Sequence, residues 1–238
     1  MSLTDTFIKL SEKGLLPDFI IRAGIRNLCK QRIGQCKSED CEANAELAEK
    51  YIEESDASPM AVLTDKANEQ HYEVPASFYQ KVLGKNLKYS CCFFNPYAND
   101  LTSAEHRALE LSCEHANLED GMEILELGCG WGSLSLWMAT NYPKARITSI
   151  SNSHSQREHI LGEARKKGLN NLDVLTEDIN EFETDKQFDR VVSVEMFEHV
   201  RNHRELFSRI HSWLTPGGKL FTHVFCHRST SYPFEVEG

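Results

Sequence analysis

No apolar run in this chain reaches the roughly 18–20 residues that a membrane span needs. The opening Met1-Ser2-Leu3-Thr4-Asp5 also lacks the basic-then-apolar plan of a secretory signal. Positive charge is short: 26 Lys and Arg stand against 36 Asp and Glu, a net charge of -10. That balance argues against nucleic acid as a partner, since polyanion binding shows a basic footprint. The eight cysteines contain no Cys-x-x-Cys pair, and Cys29, Cys36 and Cys41 have no fourth partner in sight. Neither a structural metal site nor a disulfide framework is expected. The thiols read as reduced, as in a cytoplasmic protein.

What is present suffices for one sizeable core with an appendage. The 238 residues are 40% hydrophobic and 26% charged, ordinary for a globular domain. Residues 1–35 carry six Lys/Arg against three Asp/Glu, with apolar positions at Ile8, Leu15, Phe19, Ile20, Ile25 and Leu28. A basic amphipathic segment can lie on a membrane; the preferred reading is that its apolar face packs on its own domain. Residues 36–60 turn acidic, with eight Asp/Glu against two Lys/Arg. The expected organisation is a helical segment and linker over 1–60, a further region over 61–115 and an α/β core over 116–238.

From about residue 120, strand-like runs at 122–127, 146–151, 172–176, 188–194 and 219–225 alternate with helical stretches at 131–141, 155–167 and 203–214. Only the passage 177–187 is too short and polar to be read as a helix. This order predicts an α/β, Rossmann-like doubly wound parallel sheet, whose ligands sit at the carboxyl ends of the strands near a topological switch point.

Each chemically suggestive motif falls at such an end. Ile124-Leu125-Glu126-Leu127-Gly128-Cys129-Gly130-Trp131-Gly132 is an apolar strand running into three glycines at alternate positions, then into a helix. Glycines allow positive φ and a close backbone approach to a ligand. The spacing differs from the Gly-x-Gly-x-x-Gly of a dinucleotide fold and suits a smaller nucleoside with a carboxylate tail. After the second strand, Asn152 and Gln156 can hydrogen-bond ribose hydroxyls, while Ser153 or Ser155 can cap the next helix. Asp178 can accept from an adenine amino group, with Ile179 as an apolar edge.

Glu126-Leu127-Gly128-Cys129-Gly130-Trp131-Gly132-Ser133 resembles the first motif of S-adenosylmethionine-dependent methyltransferases. The Trp131 variant, the non-acidic loop 151–156 and Met196-Phe197-Glu198-His199 resemble the cyclopropane fatty acid synthase superfamily. Lys88-Tyr89-Ser90-Cys91-Cys92-Phe93 and Ser193-Val194-Glu195-Met196-Phe197-Glu198-His199 are most similar to its coclaurine N-methyltransferase branch. The resemblance implies a class I methyltransferase fold with an N-terminal helical lid. It sets S-adenosylmethionine against Tyr89, Ser90, Gly128, Gly130, Asn152, Gln156, Asp178 and Ile179, with Glu126 and Gly132 completing the motif. Asn68-Glu69-Gln70-His71-Tyr72-Glu73 belongs to the implied lid. Phe78, Tyr79, Phe93 and Phe94 are available as aromatic walls. Relatives carry further strands beyond the five counted here, so a C-terminally shortened chain is expected.

On the acceptor side, Glu195, Glu198 and His199 would share one face of a helical turn. An amine with a lysine-like pKa (about 10.4) is neutral in only about one molecule in 10³ at pH 7, so exposing its lone pair costs on the order of 4–5 kcal/mol. A carboxylate and a histidine can orient the ammonium and take its proton. N-methylation of a small amine, with Glu195, Glu198 and His199 as catalytic residues, is therefore the leading expectation. Cyclopropane synthesis on membrane lipid is the alternative: relatives of that type resemble this chain at Cys91 and His199, but commonly have glycine at the position of Glu195. A non-catalytic cofactor-binding or protein-interaction fragment is the second alternative. A nucleic-acid methyltransferase is disfavoured, because Val194-Glu195-Met196-Phe197 lacks an Asn/Asp-Pro-Pro-aromatic run.

Overall fold

The computed structural model describes residues 3–36, 40–61 and 76–227. The chain divides into two compact units, Met1–Ile52 with His227–Gly238, and Glu53–Cys226. Helices α1 (Leu3–Glu12), α2 (Asp18–Cys36) and most of α3 (Cys41–Asp56) belong to the first. The end of α1 closes through Leu15 N–H to Leu10 O (3.0 Å) and Gly14 N–H to Ser11 O (2.9 Å). Gly14, at φ +67°, takes the left-handed position that such a cap requires. Ile8, Leu15, Phe19, Ile25 and Leu28 remain exposed. Leu10, Ile20 and Ile21 on the same helices, and Leu16 between them, are half-buried. Among the described residues, no helix is long and apolar enough to cross a membrane.

The second unit is built on a five-stranded sheet in the order β3-β2-β1-β4-β5, with every pairing parallel. Its strands are β1 (Glu123–Leu127), β2 (Arg146–Ser151), β3 (Leu172–Thr176), β4 (Phe188–Val194) and β5 (Leu214–His223). Helices α4 (Ala76–Val82) and α5 (Leu101–His115) precede the sheet; α6 (Ser133–Asn141), α7 (His154–Lys166) and α8 (His203–Trp213) connect its strands. Alternation along the strands divides the core into two layers. Ile124, Ile147, Val174 and Val192 pack with α5, α6 and α7, whereas Leu125, Leu127, Ile150 and Val191 pack with Phe182, Phe188 and the α8 residues Leu206, Ile210 and Trp213. This is the doubly wound parallel sheet expected from the order of elements. Strand order reverses between β1 and β4, so the crevice at their carboxyl ends is the topological switch point.

Two passages differ from the sequence reading. The last helix ends at Trp213, and β5 begins at once at Leu214. Leu214 pairs with Phe188, but pairing then resumes only at Arg190 with Lys219, so Thr215–Gly218 bulge from the ladder. Pro216 has no N–H to donate and Gly217 adopts φ +84°, which accounts for the bulge. The strand stops at His223, leaving Val224 and Phe225 exposed beyond it.

Residues 177–187 carry the chain from β3 across the sheet to β4 without a helix. Side chains hold this passage in place of a regular ladder. Phe182 is buried edge-on against Trp213, with centroids 5.1 Å apart. From α8, Arg209 donates to the carbonyls of Ile179 (3.1 Å), Asn180 (3.0 Å) and Phe182, with its guanidinium 5.6 Å from the Trp213 ring centre. Asn180 meets the backbone of Ala61 in both directions, at 2.8 and 3.2 Å. Removing the Arg209 fork leaves carbonyls of a part-buried loop unpaired, each worth about 1–3 kcal/mol. Arg209→Ala is expected to lower unfolding free energy by about 2–4 kcal/mol, with Arg209→Lys recovering less than half, as read by urea denaturation.

Candidate active site

The turn after β1 is shaped by three left-handed glycines, Gly128 (φ +79°), Gly130 (+51°) and Gly132 (+80°). Gly128 must lack a side chain for a second reason: a Cβ there would lie 2.7 Å from Cβ and Cγ of Met196. At Gly132 a Cβ would meet Ile160 Cγ1 at 2.5 Å, so this glycine lets α6 and α7 close together. Gly130 differs, because none of the described residues lies within 4 Å of where its Cβ would be. The N–H groups of Gly128 and Cys129 both donate to Ile150 O, at 3.1 and 3.0 Å, and tie the turn to the end of β2.

Glu126 lies beneath this turn. The pleat directs it to the α6 side of the sheet, where its buried carboxylate accepts from Ser149 Oγ (2.7 Å) and Ser135 Oγ. It is thus engaged in holding α6 and β2 to β1, and burial pushes its pKa up against the lowering effect of the two serines.

At the end of β2, Ser153 and not Ser155 caps α7, accepting from Gln156 N–H at 3.4 Å. Gln156 is almost fully buried, and its Oε1 accepts from Ser151 Oγ at 2.6 Å. Its Nε2 is buried with no hydrogen-bond partner among the described residues. Asn152 and Ser153 are half-buried in the same loop. After β3, Glu177 N–H donates to Ser151 O (3.0 Å), so the β2 and β3 ends stay together. Asp178 Oδ1 accepts from Asn180 N–H at 2.8 Å, and Ile179 packs against the α8 layer.

Tyr89 and Ser90 arrive from the loop between α4 and α5, and a residue that sequence reading passed over sets that loop. Glu105, fully buried on α5, accepts from the N–H groups of Gly84 (2.8 Å), Asn86 (2.9 Å) and Lys88 (3.2 Å). A Cβ at Gly84 would meet the Glu105 carboxylate at 2.5 Å. Buried Lys88 then donates its ammonium to Ser90 Oγ. Tyr89 stands edge-on to Tyr79 (5.3 Å), Tyr79 contacts Trp131 (5.3 Å) and Trp131 meets His159 (5.5 Å), an aromatic path from this loop to the glycine turn. Of the other expected aromatic walls, Phe78, Phe93 and Phe94 are exposed. The motif Asn68–Glu73 lies outside the described residues.

On the acceptor side, the helical turn expected to align Glu195, Glu198 and His199 is a short 3-10 turn over Phe197–His199, and Glu195 precedes it. Glu195 has φ +53°, a left-handed conformation uncommon for a residue with a side chain. Its N–H donates to His223 O (2.7 Å), and its Oε1 accepts from Cys91 N–H (3.5 Å). Glu198 turns elsewhere: Oε1 accepts from Phe225 N–H, and Oε2 is buried without a partner. His199 is exposed. The structure thus groups Glu195 with Cys91 and His223, whose Sγ and Nε2 lie 3.6 Å apart. Burial and the neighbouring Glu195 carboxylate raise the Cys91 pKa, and Lys88 opposes them. His223 carried no signal in sequence beyond its position near the end of an edge strand.

Residues 63–234 match the family described as mycolic acid cyclopropane synthetase. The chain belongs to that family. It is 38% identical over 229 residues to (S)-coclaurine N-methyltransferase of Thalictrum flavum subsp. glaucum, covering 96% of this chain and 63% of that relative's length. Cyclopropane-fatty-acyl-phospholipid synthase of Escherichia coli is 32% identical over 163 residues, 68% of this chain and 41% of its own. The crystal structure of coclaurine N-methyltransferase bound to N-methylheliamine and SAH superposes with a TM-score of 0.92 at 33% identity, covering 97% of this chain and 67% of the other.

The buried Glu126 carboxylate has a measurable signature. A carboxyl whose folded pKa is raised is favoured in its protonated form, so the fold loses stability as pH rises from the unfolded value through the folded one. Glu126→Gln keeps an oxygen for the two serines and removes the charge. Urea unfolding between pH 5 and 8 is expected to show a declining stability in the wild type and a flatter profile in the variant.

Proposed function

We propose that this chain binds S-adenosylmethionine at the carboxyl ends of β1, β2 and β3 and transfers its methyl group to the nitrogen of a small amine. Two features of the loops suit the cofactor. Among the described residues, none fills the space where a side chain at Gly130 would stand, and Gln156 Nε2 is a buried donor without a partner. In this reading Gly128 and Gly130 admit the methionine end, Asn152 and Gln156 hold the ribose, Asp178 and Ile179 receive the adenine, and Tyr89 and Ser90 close over it. When bound, the sulfonium supplies an already activated methyl group, so the protein's task is to position and desolvate.

Glu195 carries the choice of acceptor. A carboxylate is held at the end of β4, in a conformation that glycine adopts without cost, directly before the Met196 that packs on Gly128. Strain of that kind, about 1–3 kcal/mol, clusters at functional sites. The carboxylate attracts a cationic amine, orients it and takes its proton, freeing the lone pair that attacks the methyl carbon as the carbon–sulfur bond breaks toward sulfur. Glu198, with its buried unpartnered Oε2, and His199 complete the acceptor side. The relative from Thalictrum and the superposed crystal structure both bear the name coclaurine N-methyltransferase, in keeping with an amine acceptor. Transfer to a lipid alkene is the second reading, favoured by the Escherichia coli relative.

Calorimetric titration with S-adenosylhomocysteine tests the cofactor site. Gly128→Ala is expected to weaken binding at least 100-fold because of the clash with Met196, while thermal melting checks that it remains folded. A folded wild-type chain that binds nothing would end the methyltransferase reading.

Glu195→Gly separates the acceptors. Cofactor affinity is expected to stay within twofold, and methyl incorporation into amines to fall at least 100-fold. Unfolding free energy is expected to rise by about 1 kcal/mol as the left-handed strain is relieved. Glu195→Ala should share the loss of transfer without that gain. Undiminished transfer to amines would remove Glu195 from the acceptor role, and transfer by the wild type to unsaturated phospholipid but not to amines would favour the lipid reading.

A further inference from the structure

Cys91, Glu195 and His223 come from three separate parts of the second unit: the loop after α4, the end of β4 and the end of β5. Their ligand atoms, a sulfur, a carboxylate oxygen and an imidazole nitrogen, all lie within 4.8 Å of one another. The backbone brings two of the residues together, through Glu195 N–H to His223 O at 2.7 Å, and Cys91 N–H donates to Glu195 Oε1 at 3.5 Å. The sulfur-to-nitrogen distance is 3.6 Å. Zinc bound tetrahedrally by a thiolate at about 2.3 Å and an imidazole at about 2.0–2.1 Å separates those two atoms by about 3.6 Å. The pair is already spaced as two corners of such a site.

We propose that Cys91, Glu195 and His223 form a binding site for a thiophilic divalent cation, zinc above all, with a fourth position open to solvent. The ligand types select zinc over magnesium or calcium, which prefer all-oxygen sites. A thiolate and a carboxylate together balance the two positive charges, so the assembled site is neutral. Cys91 is exposed, while Glu195 and His223 are half-buried, which gives the ion a route in. Three protein ligands and one open position is the coordination of an accessible zinc and not of a closed structural one. Because the metal would occupy the Glu195 carboxylate, it would compete with the cationic amine; this consequence, unlike the binding itself, rests on the function proposed above. Zinc would then be a reversible inhibitor acting at the acceptor site and leaving the cofactor site open.

Cobalt(II) reports on such a site without turnover. The full chain, reduced and freed of metal, is titrated with cobalt while near-ultraviolet thiolate-to-cobalt absorption and the visible bands of tetrahedral cobalt are followed. The expected result is a saturable signal at one equivalent, displaced by zinc. It should be lost in Cys91→Ser and shifted to at least tenfold higher cobalt concentration in His223→Ala and in Glu195→Gln. Circular dichroism confirms that each variant is folded, and Cys92→Ser, which alters the adjacent thiol, is expected to retain the signal. No thiolate band in the wild type, or a band that survives Cys91→Ser and vanishes in Cys92→Ser, would overturn the site. The readout requires neither cofactor nor methyl transfer, so failure of the methyltransferase reading leaves it intact. With an amine acceptor in hand, zinc should raise the apparent KM for the amine and leave S-adenosylhomocysteine affinity unchanged in the wild type. An unchanged KM with saturated metal would refute the inhibitory role.

Discussion

The close approach of Met196 to Gly128 sets the geometry of everything around the switch point. The two residues follow β1 and β4, neighbouring strands that pair in register from Ile124 with Arg190 to Leu127 with Ser193. Their helical connections leave in different directions, and the crevice between them narrows to the space that an absent Cβ provides. A methyl group at Gly128 would force the β4 loop outward, and the carboxylate of Glu195 would move with it. The glycine turn after β1 and the loop after β4 are therefore one mechanical unit, coupled through a single packed side chain.

Around that unit, buried and half-buried charged groups hold loops where regular structure cannot. Glu126 joins α6 and β2 beneath the glycine turn, and Glu105 gathers three N–H groups of the loop that carries Tyr89 and Ser90. Arg209 fastens the β3–β4 passage, and Arg190 donates to the carbonyls of Ala116 and Asn117 just past α5. Each spends its hydrogen-bonding capacity on backbone groups or serines, satisfying the condition under which a buried charge is tolerated. Loops held this way position ligand-facing side chains without placing those side chains in a helix or strand.

The acceptor side shows the opposite economy. Glu195 is kept at φ +53° by a backbone hydrogen bond to β5 and by the Cys91 amide. Its strain sits beside a thiol whose pKa is raised and a histidine 3.6 Å from that thiol. Such an arrangement can take a proton from a cation or bind a soft metal, and the two uses compete for the same carboxylate. Its neighbour Glu198 accepts from the Phe225 N–H, so the two carboxylates are held by different backbone partners.

The limits of β2, β3 and β4 and the glycine turn could be read from the chain because each is written locally: short runs rich in Ile, Val and Leu between polar connections for strands, glycine where φ must be positive. The start of β5 could not, since Leu214–Gly218 look like a helix end and become a bulged strand only through pairing with Phe188. Gly128, Gly130, Asn152, Gln156 and Asp178 were visible as residues at strand ends, whereas the hydrogen bonds of Glu126 to Ser135 and Ser149 beneath the turn depend on how the pleat and α6 pack. The cluster of Cys91, Glu195 and His223 left no local trace, because its members lie 104 and 132 residues apart in sequence and meet only when β4 and β5 pair and the α4–α5 loop folds over them. Sequence by itself determined the order of elements and the nature of the glycine turn, through short-range sterics and burial. Tertiary structure alone decided which titratable groups face one another, because their distances depend on strand pairing and loop placement, which no local pattern encodes.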